Sequence, residues 1–205
     1  MKNPIKSLIQ EQNKAIQFFG LPGTYKTTLL LQIIQKILTD KEQPIILIDT
    51  DGNFPIVRLS KFKDHLNNLI VFQPKSLKET ALILDDLDIQ LLTKNSVLFI
   101  DDLFRHTDFE DKKNHHLNSY LLALIKKISQ RVSFPVIITN QARSFNKEIR
   151  PFLQNLTLQY LNLHLLFEKT KEKNRIRISL FEHTQLLSQH VYNIDSNGFL
   201  KDWDK

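Results

Sequence analysis

The segment Ile16–Leu38 constrains the fold most, because a β-rich run, a glycine-bearing turn and a helix-forming run follow one another without a gap. Ile16–Phe19 is predicted to be a strand and Thr27–Leu38 a helix without a helix-breaking residue. The turn between them reads Gly20, Leu21, Pro22, Gly23, Thr24, Tyr25, Lys26, Thr27, Thr28. This order matches the phosphate-loop pattern G-x-x-x-x-G-K-[ST], except that Tyr25 stands where the pattern has its second glycine.

A turn of this kind binds phosphate oxygens through its backbone N–H groups and through the N-terminus of the following helix. Lys26 is expected to neutralise the β- and γ-phosphates of ATP, and the Thr27 hydroxyl to bind Mg²⁺. Tyr25 has to adopt the backbone angles that glycine usually supplies and to hold its ring outward. The alternative is an ordinary strand–turn–helix with a surface lysine.

The rest of the chain alternates short apolar runs with longer helical ones, which is typical of a parallel sheet flanked by helices. The predicted strands of this part are Ile45–Asp49, Leu69–Phe72, Val97–Ile100 and Pro135–Thr139, and the predicted helices are Ser76–Leu92, with Ser76 as N-cap, and Asn114–Arg131. The last third changes to strict alternation and predicts an antiparallel hairpin around Lys169–Asn174, followed by an edge strand at Val191–Ile194. We therefore expect one α/β domain over residues 1–205, with no separate N-terminal domain.

Polar residues follow three of the predicted strands, at the sheet edge where ligands of such folds bind. Asp101 ends an apolar strand and is expected to act through Mg²⁺; a helix N-cap is the alternative. Asp51 lies two residues beyond its strand and could orient an attacking water, or it could be a turn aspartate before Gly52. Gln141 could sense the γ-phosphate, or be a turn residue.

The formal net charge of +6 permits binding to nucleic acid, and a solvated lysine-rich surface is the alternative. Basic residues interleaved with aromatic ones suit single-stranded DNA, and the candidates are Arg143, Lys147 and Arg150 beside Phe145 and Phe152. A solvated loop with two anchoring phenylalanines is the other reading of that segment. The chain contains no cysteine, which excludes disulfides and thiolate chemistry. It also contains no apolar run of membrane-spanning length.

Four segments resemble the RecA/Rad51/RadA recombinase superfamily, and among its members the archaeal RadB group most. They are Gly20–Thr28, Leu47–Phe54 with Arg58–Leu59, Val97–Asp102, and Pro135–Gln141 with its Thr-Asn-Gln ending. The resemblance extends over nearly the whole chain, through Arg175–His183 and Val191–Phe199. It implies a RecA-like P-loop NTPase core, without the polymerisation segment of the full recombinases.

The resemblance implies that Gly20, Gly23, Lys26, Thr27 and Thr28 bind nucleotide, that Asp101 acts through Mg²⁺, and that Gln141 begins the second DNA-binding loop. The catalytic glutamate of the family aligns with Asp51, whose side chain is one methylene shorter. An ATP- and DNA-binding accessory factor in homologous recombination, with weak or no hydrolysis, is the implied function. Its implied partners are DNA and a recombinase or paralogue, in a homo- or hetero-oligomer. Its implied location is the cytoplasm, with the nucleoid in an archaeon, or the nucleus in a eukaryote.

Two other functions are compatible with the same residues. The chain could be a pseudo-ATPase subunit that docks on a recombinase without nucleotide turnover, which the substitutions at Tyr25 and Asp51 favour. It could also be a regulatory ATPase similar to KaiC, which the Thr-Asn-Gln segment disfavours.

Overall fold

The computed structural model describes residues 5, 8, 11–40, 43–88, 93, 95–108, 111–146 and 148–203. The strands are β1 (Ala15–Gly20), β2 (Ile45–Asp49), β3 (Leu69–Phe72), β4 (Val97–Asp101), β5 (Val136–Phe145), β6 (Glu148–Pro151), β7 (Leu163–Lys169), β8 (Arg175–Glu182) and β9 (Gln185–Asn193). The helices are α1 (Lys26–Asp40), α2 (Leu77–Asp86), α3 (Lys112–Ser129) and α4 (Gln154–Tyr160), and a 3₁₀ segment occupies Ile56–Asn68.

The strands are ordered β3-β2-β4-β5-β1-β7-β8-β9, with β6 paired to β5 alone. The pairs from β3 to β7 are parallel, whereas β7, β8 and β9 are antiparallel to one another. The predicted parallel core with an antiparallel C-terminal extension is therefore confirmed. Strands β2 and β4 are buried over their whole length, which is why their sequences are apolar on both faces.

Helices cover both faces of the sheet. The apolar residues of α1 belong to one buried cluster, and those of α2 and α3 belong to a second cluster on the other face. The C-terminal Leu200 and Trp203 also join the cluster of α1, which explains why this helix is apolar on most sides. The Gln32 side chain fixes this packing, because its amide donates to the Leu200 carbonyl and accepts from the Leu200 N–H, each at 3.0 Å.

Several boundaries differ from the sequence prediction. Ser76 caps α2 as predicted, by accepting from the Glu79 N–H, but α2 ends at Asp86, and positions 89–92 of the predicted helix lie outside the described residues. Strand β5 continues to Phe145 and forms a hairpin with β6, where a strand ending at Thr139 followed by a loop was predicted. The 3₁₀ segment and α4 were not predicted. The edge strand begins at Gln185, six residues before the predicted Val191.

Candidate nucleotide site and basic hairpin

The turn between β1 and α1 is shaped by close contacts and by left-handed residues. A Cβ atom at Gly20 would lie 2.5 Å from the Phe167 carbonyl oxygen on β7, so only glycine fits there. Gly23 has φ +72°, a conformation that glycine adopts without steric cost. The Thr24 hydroxyl donates to the Leu21 carbonyl at 2.8 Å and closes the turn. A cleft of about 320 Å³ is lined by Gly23, Thr24, Tyr25, Lys26, Thr27 and Thr28.

Tyr25 adopts the left-handed conformation of the glycine that it replaces, with φ +66°. The tyrosine is half-buried and packs against the apolar cluster that contains α1. Tyr25 therefore keeps the left-handed backbone conformation of the pattern's second glycine, at the steric cost of a residue with a Cβ.

Lys26 is nearly buried, with 9% of its surface exposed. Its ammonium group donates to the carbonyl oxygens of Gly20 at 3.0 Å and Leu21 at 3.2 Å. Burial lowers the pKa of Lys26, and the carboxylates of Asp102 and Asp101 act in the opposite direction. A buried cation held at the mouth of an N–H-lined turn is suited to bind a polyphosphate.

Thr27 and Asp101 meet at the end of the sheet. The Thr27 hydroxyl lies 3.1 Å and 3.2 Å from the two carboxylate oxygens of Asp101, and the Thr139 hydroxyl donates to the same carboxylate at 2.5 Å. Burial raises the pKa of Asp101 to about 6, against the effect of the hydrogen bonds from Thr139 and Thr27. A hydroxyl and a carboxylate side by side are oxygen ligands of the kind that Mg²⁺ prefers, so the residues fit this ion.

Gln141 and Asp102 form a pair that the sequence did not predict. The Gln141 amide donates to the Asp102 carboxylate at 2.7 Å, and Asp102 itself has a left-handed φ of +55°. Burial raises the pKa of Asp102, against the hydrogen bond from Gln141. Gln141 stands opposite Gly20 in the β1–β5 register, so the start of the β5–β6 hairpin lies beside the start of the phosphate loop.

The Asp51 carboxylate makes contacts of its own with two side chains. One carboxylate oxygen is 2.6 Å from Nε of Arg105, and the other accepts from the Asn53 side chain at 2.8 Å. In this arrangement the side chains of Arg105 and Asn53 already bind both oxygens of the predicted water-orienting carboxylate. The role of Asp51 in hydrolysis stays a prediction.

The residue that organises the Asp51 loop is Asp49, which sequence reasoning missed. Its buried carboxylate accepts from the N–H of Gly52 at 3.0 Å, from the N–H of Phe54 at 3.1 Å and from the Gln73 amide at 3.1 Å. The signal was present, because a carboxylate ends an otherwise apolar strand, in the same position on β2 as Asp101 on β4.

The predicted DNA-binding residues lie on the β5–β6 hairpin. Arg143 and Arg150 are opposite one another in its register, and both are exposed. The Arg150 guanidinium lies 5.5 Å from the ring centroid of the exposed Phe145 and pairs with Glu148 at 2.6 Å. A cavity of about 590 Å³ is lined by His115, both arginines and the residues around Phe152. Lys147 lies outside the described residues.

The order of the strands and the geometry of the β1–α1 loop define a class of protein, the P-loop ATPases. The family model described as "ATPase family associated with various cellular activities (AAA)" matches residues 16–159, and the chain belongs to this family. This fold is one that binds nucleotide, typically with Mg²⁺.

Within that class, two similar proteins are named RadB. The DNA repair and recombination protein RadB of Methanosphaera stadtmanae is 27% identical over 144 residues, which are 65% of this chain and 62% of that protein. The chain therefore spans less than two thirds of the length of this relative. RadB of Thermococcus sibiricus is 25% identical over 174 residues, 79% of this chain and 75% of that protein.

A solved structure gives the same result for the fold. The crystal structure of the RadB recombinase matches with a TM-score of 0.77 and 21% identity, over 95% of this chain and 94% of that chain. The predicted RecA-like fold and the resemblance to RadB are thus confirmed. Among the described helices, none is long and apolar enough to cross a membrane.

Proposed function

We propose that this protein is a RadB-like recombinase paralogue, an accessory factor of homologous recombination and DNA repair that binds ATP with Mg²⁺ and also binds DNA. The main support for the proposed nucleotide binding is the contact between Thr27 and Asp101, which are 74 residues apart in sequence. This contact lies at the mouth of the loop that contains Lys26. These three side chains would bind the phosphates and Mg²⁺, and the ion would supply charge neutralisation at the phosphates.

The proposed DNA binding is supported by the β5–β6 hairpin. Two exposed arginines and an exposed phenylalanine on one short hairpin combine cations for phosphates with a ring on which a base stacks. Gln141, at the start of this hairpin, donates to Asp102, the residue that follows Asp101, so strand β5 lies beside both proposed sites. Single-stranded DNA is the proposed ligand, because stacking needs unpaired bases.

The proposed hydrolysis is weak. Asp51 is shorter than the glutamate it aligns with in the RadB-like pattern, and both of its oxygens have hydrogen-bonding partners in Arg105 and Asn53. These contacts equally favour the second candidate, a subunit that docks on a recombinase without turning over ATP.

The deciding experiment measures binding of labelled ATP to the wild type and to Lys26→Ala. The proposal expects saturable, Mg²⁺-dependent binding that the substitution lowers at least about tenfold, because it removes a charged group that contacts phosphate. Equal, weak signals from both proteins would contradict the proposed nucleotide site.

Co-purification with a recombinase, compared between the same two proteins, separates the two candidates. Assembly that is lost in Lys26→Ala supports a nucleotide-dependent accessory factor. Assembly that is unchanged supports the docking subunit.

A further inference from the structure

Strand β7 brings a second lysine to the phosphate loop. Leu163, Leu165 and Phe167 are buried in the cluster that contains α1. Because side chains alternate along a strand, Lys169 continues this row on the same face. Phe167 stands opposite Gly20, the last residue of β1, in the parallel β1–β7 pair. Lys169 is two residues further along β7, so it lies past the end of β1 and beside the loop that Gly20 opens.

Lys169 approaches the loop at Gly23. A Cβ atom built there would lie 3.4 Å from Nζ of Lys169, and the structure places no other non-neighbouring atom of the described chain within 4 Å of that position. The ammonium group therefore lies beside Gly23, one of the residues that line the 320 Å³ cleft.

The charges around the loop leave the ammonium group of Lys169 available to bind an anion. Lys26 is held by two loop carbonyls and faces the carboxylates of Asp101 and Asp102. By contrast, Lys169 forms no ion pair with any carboxylate of the described residues. A cation beside a phosphate-binding turn, without an ion pair to a carboxylate of the described residues, is suited to bind an anion there.

We propose that Lys169 is a second phosphate-binding lysine, whose ammonium group contacts the phosphate chain of the nucleotide in the Gly20–Thr28 loop. This inference rests on the proposed nucleotide site and adds to it a residue 143 positions beyond Lys26, outside the loop motif. Gly23 brings the two together, since a Cβ atom at this position would already be in van der Waals contact with the ammonium group.

The test compares the dissociation constant for Mg²⁺-ATP, measured by isothermal titration calorimetry, among the wild type, Lys169→Gln, Lys169→Arg and Lys171→Gln. Glutamine removes the charge and keeps a flexible polar side chain that is one atom shorter. Lys171 is an exposed lysine of the same β7–β8 turn and is the matched control for net charge.

Lys169→Gln is expected to weaken binding about tenfold, the size of one charge-assisted contact, whereas Lys171→Gln changes it less than about twofold. Lys169→Arg is expected to restore most of the affinity, which a merely structural role of the side chain would not require. Equal effects of the two glutamine variants would overturn the inference and leave the nucleotide site intact. A wild type that binds no Mg²⁺-ATP would instead overturn the nucleotide site itself, and Lys169 with it.

Discussion

Tyr25 carries a steric cost that can be measured. Its φ of +66° is unfavourable for a residue with a Cβ, by roughly 1–2 kcal/mol. Tyr25→Ala removes the ring but keeps the Cβ, whereas Tyr25→Gly removes both. We expect the glycine variant to be more stable than the alanine variant by about 1 kcal/mol, which reverses the usual order of these residues. Urea unfolding of the two variants checks this, and an alanine variant that is the more stable would contradict it.

Arg105 is expected to restrain Asp51. Its guanidinium binds one carboxylate oxygen at 2.6 Å, which hinders that oxygen from accepting a hydrogen bond from an attacking water. Arg105→Ala should therefore raise the rate of ATP hydrolysis about threefold or more. The double variant Asp51→Asn/Arg105→Ala is the control, measured against Asp51→Asn alone. If Arg105→Ala raises the rate equally in both backgrounds, Asp51 is not the group released.

The individual site residues divide into those that a local pattern can predict and those that it cannot. Lys26 and Thr27 follow from the spacing of the loop, and Asp101 from its place at the end of an apolar strand. The Asp51–Arg105 pair joins two loops 54 positions apart, and the approach of Lys169 to Gly23 depends on the pairing of β1 with β7. Such contacts depend on the order of the strands in the sheet, which the local patterns of a single sequence do not reveal.

The β5–β6 hairpin is the element in which DNA binding can be tested. Arg143 and Arg150 project from opposite strands, so each is expected to neutralise one phosphate. Arg143→Ala should weaken binding to a single-stranded oligonucleotide and reduce the slope of log K against log salt by about 0.7, the value for one contact with a single strand. Arg150→Ala should also weaken binding, and it leaves the Glu148 carboxylate unpaired, which repels the phosphates of the oligonucleotide further.

Fluorescence anisotropy over a series of salt concentrations measures this slope. Lys78→Ala is the control, because Lys78 is an exposed lysine on α2, outside the β5–β6 hairpin. A slope that falls equally in Lys78→Ala would show that net charge, and not the hairpin, determines binding.

The elements whose apolar residues recur at the period of a helix or a strand were predicted from the sequence. The elements that depend on contacts with other parts of the chain were not. The second half of β5 reads Gln141-Ala142-Arg143-Ser144-Phe145 and has no apolar alternation, so its strand conformation depends on pairing with β6. Helix α4 begins after Leu153, which has a left-handed φ of +53° and makes no side-chain cap. Neither feature has a signature in local propensity.

On the scale of the whole molecule, the sheet buries a histidine that has to stay neutral. His164 on β7 is 3% exposed, and its Nδ1 donates to the Gln17 side-chain oxygen on β1 at 3.0 Å. Burial lowers the pKa of His164 from 6.5 to about 4, and the nearby His183 acts in the same direction. Between these two values the unfolded chain binds a proton that the folded protein does not, so stability rises with pH across this window.

The contribution of His164 is therefore complete above pH 6.5 and is lost as the pH falls through about 4. A shift of this size corresponds to about 3 kcal/mol of the free energy of unfolding. His164→Asn keeps a donor toward Gln17 and does not titrate, so its stability should depend less on pH than that of the wild type between pH 4 and 6.5. Urea unfolding of both proteins across this range measures the difference, which isolates His164 from the carboxylates that titrate in both. Parallel stability curves would mean that the sheet accepts the imidazolium, by letting water reach β7 through the adjacent cavity of about 170 Å³ that His164 lines.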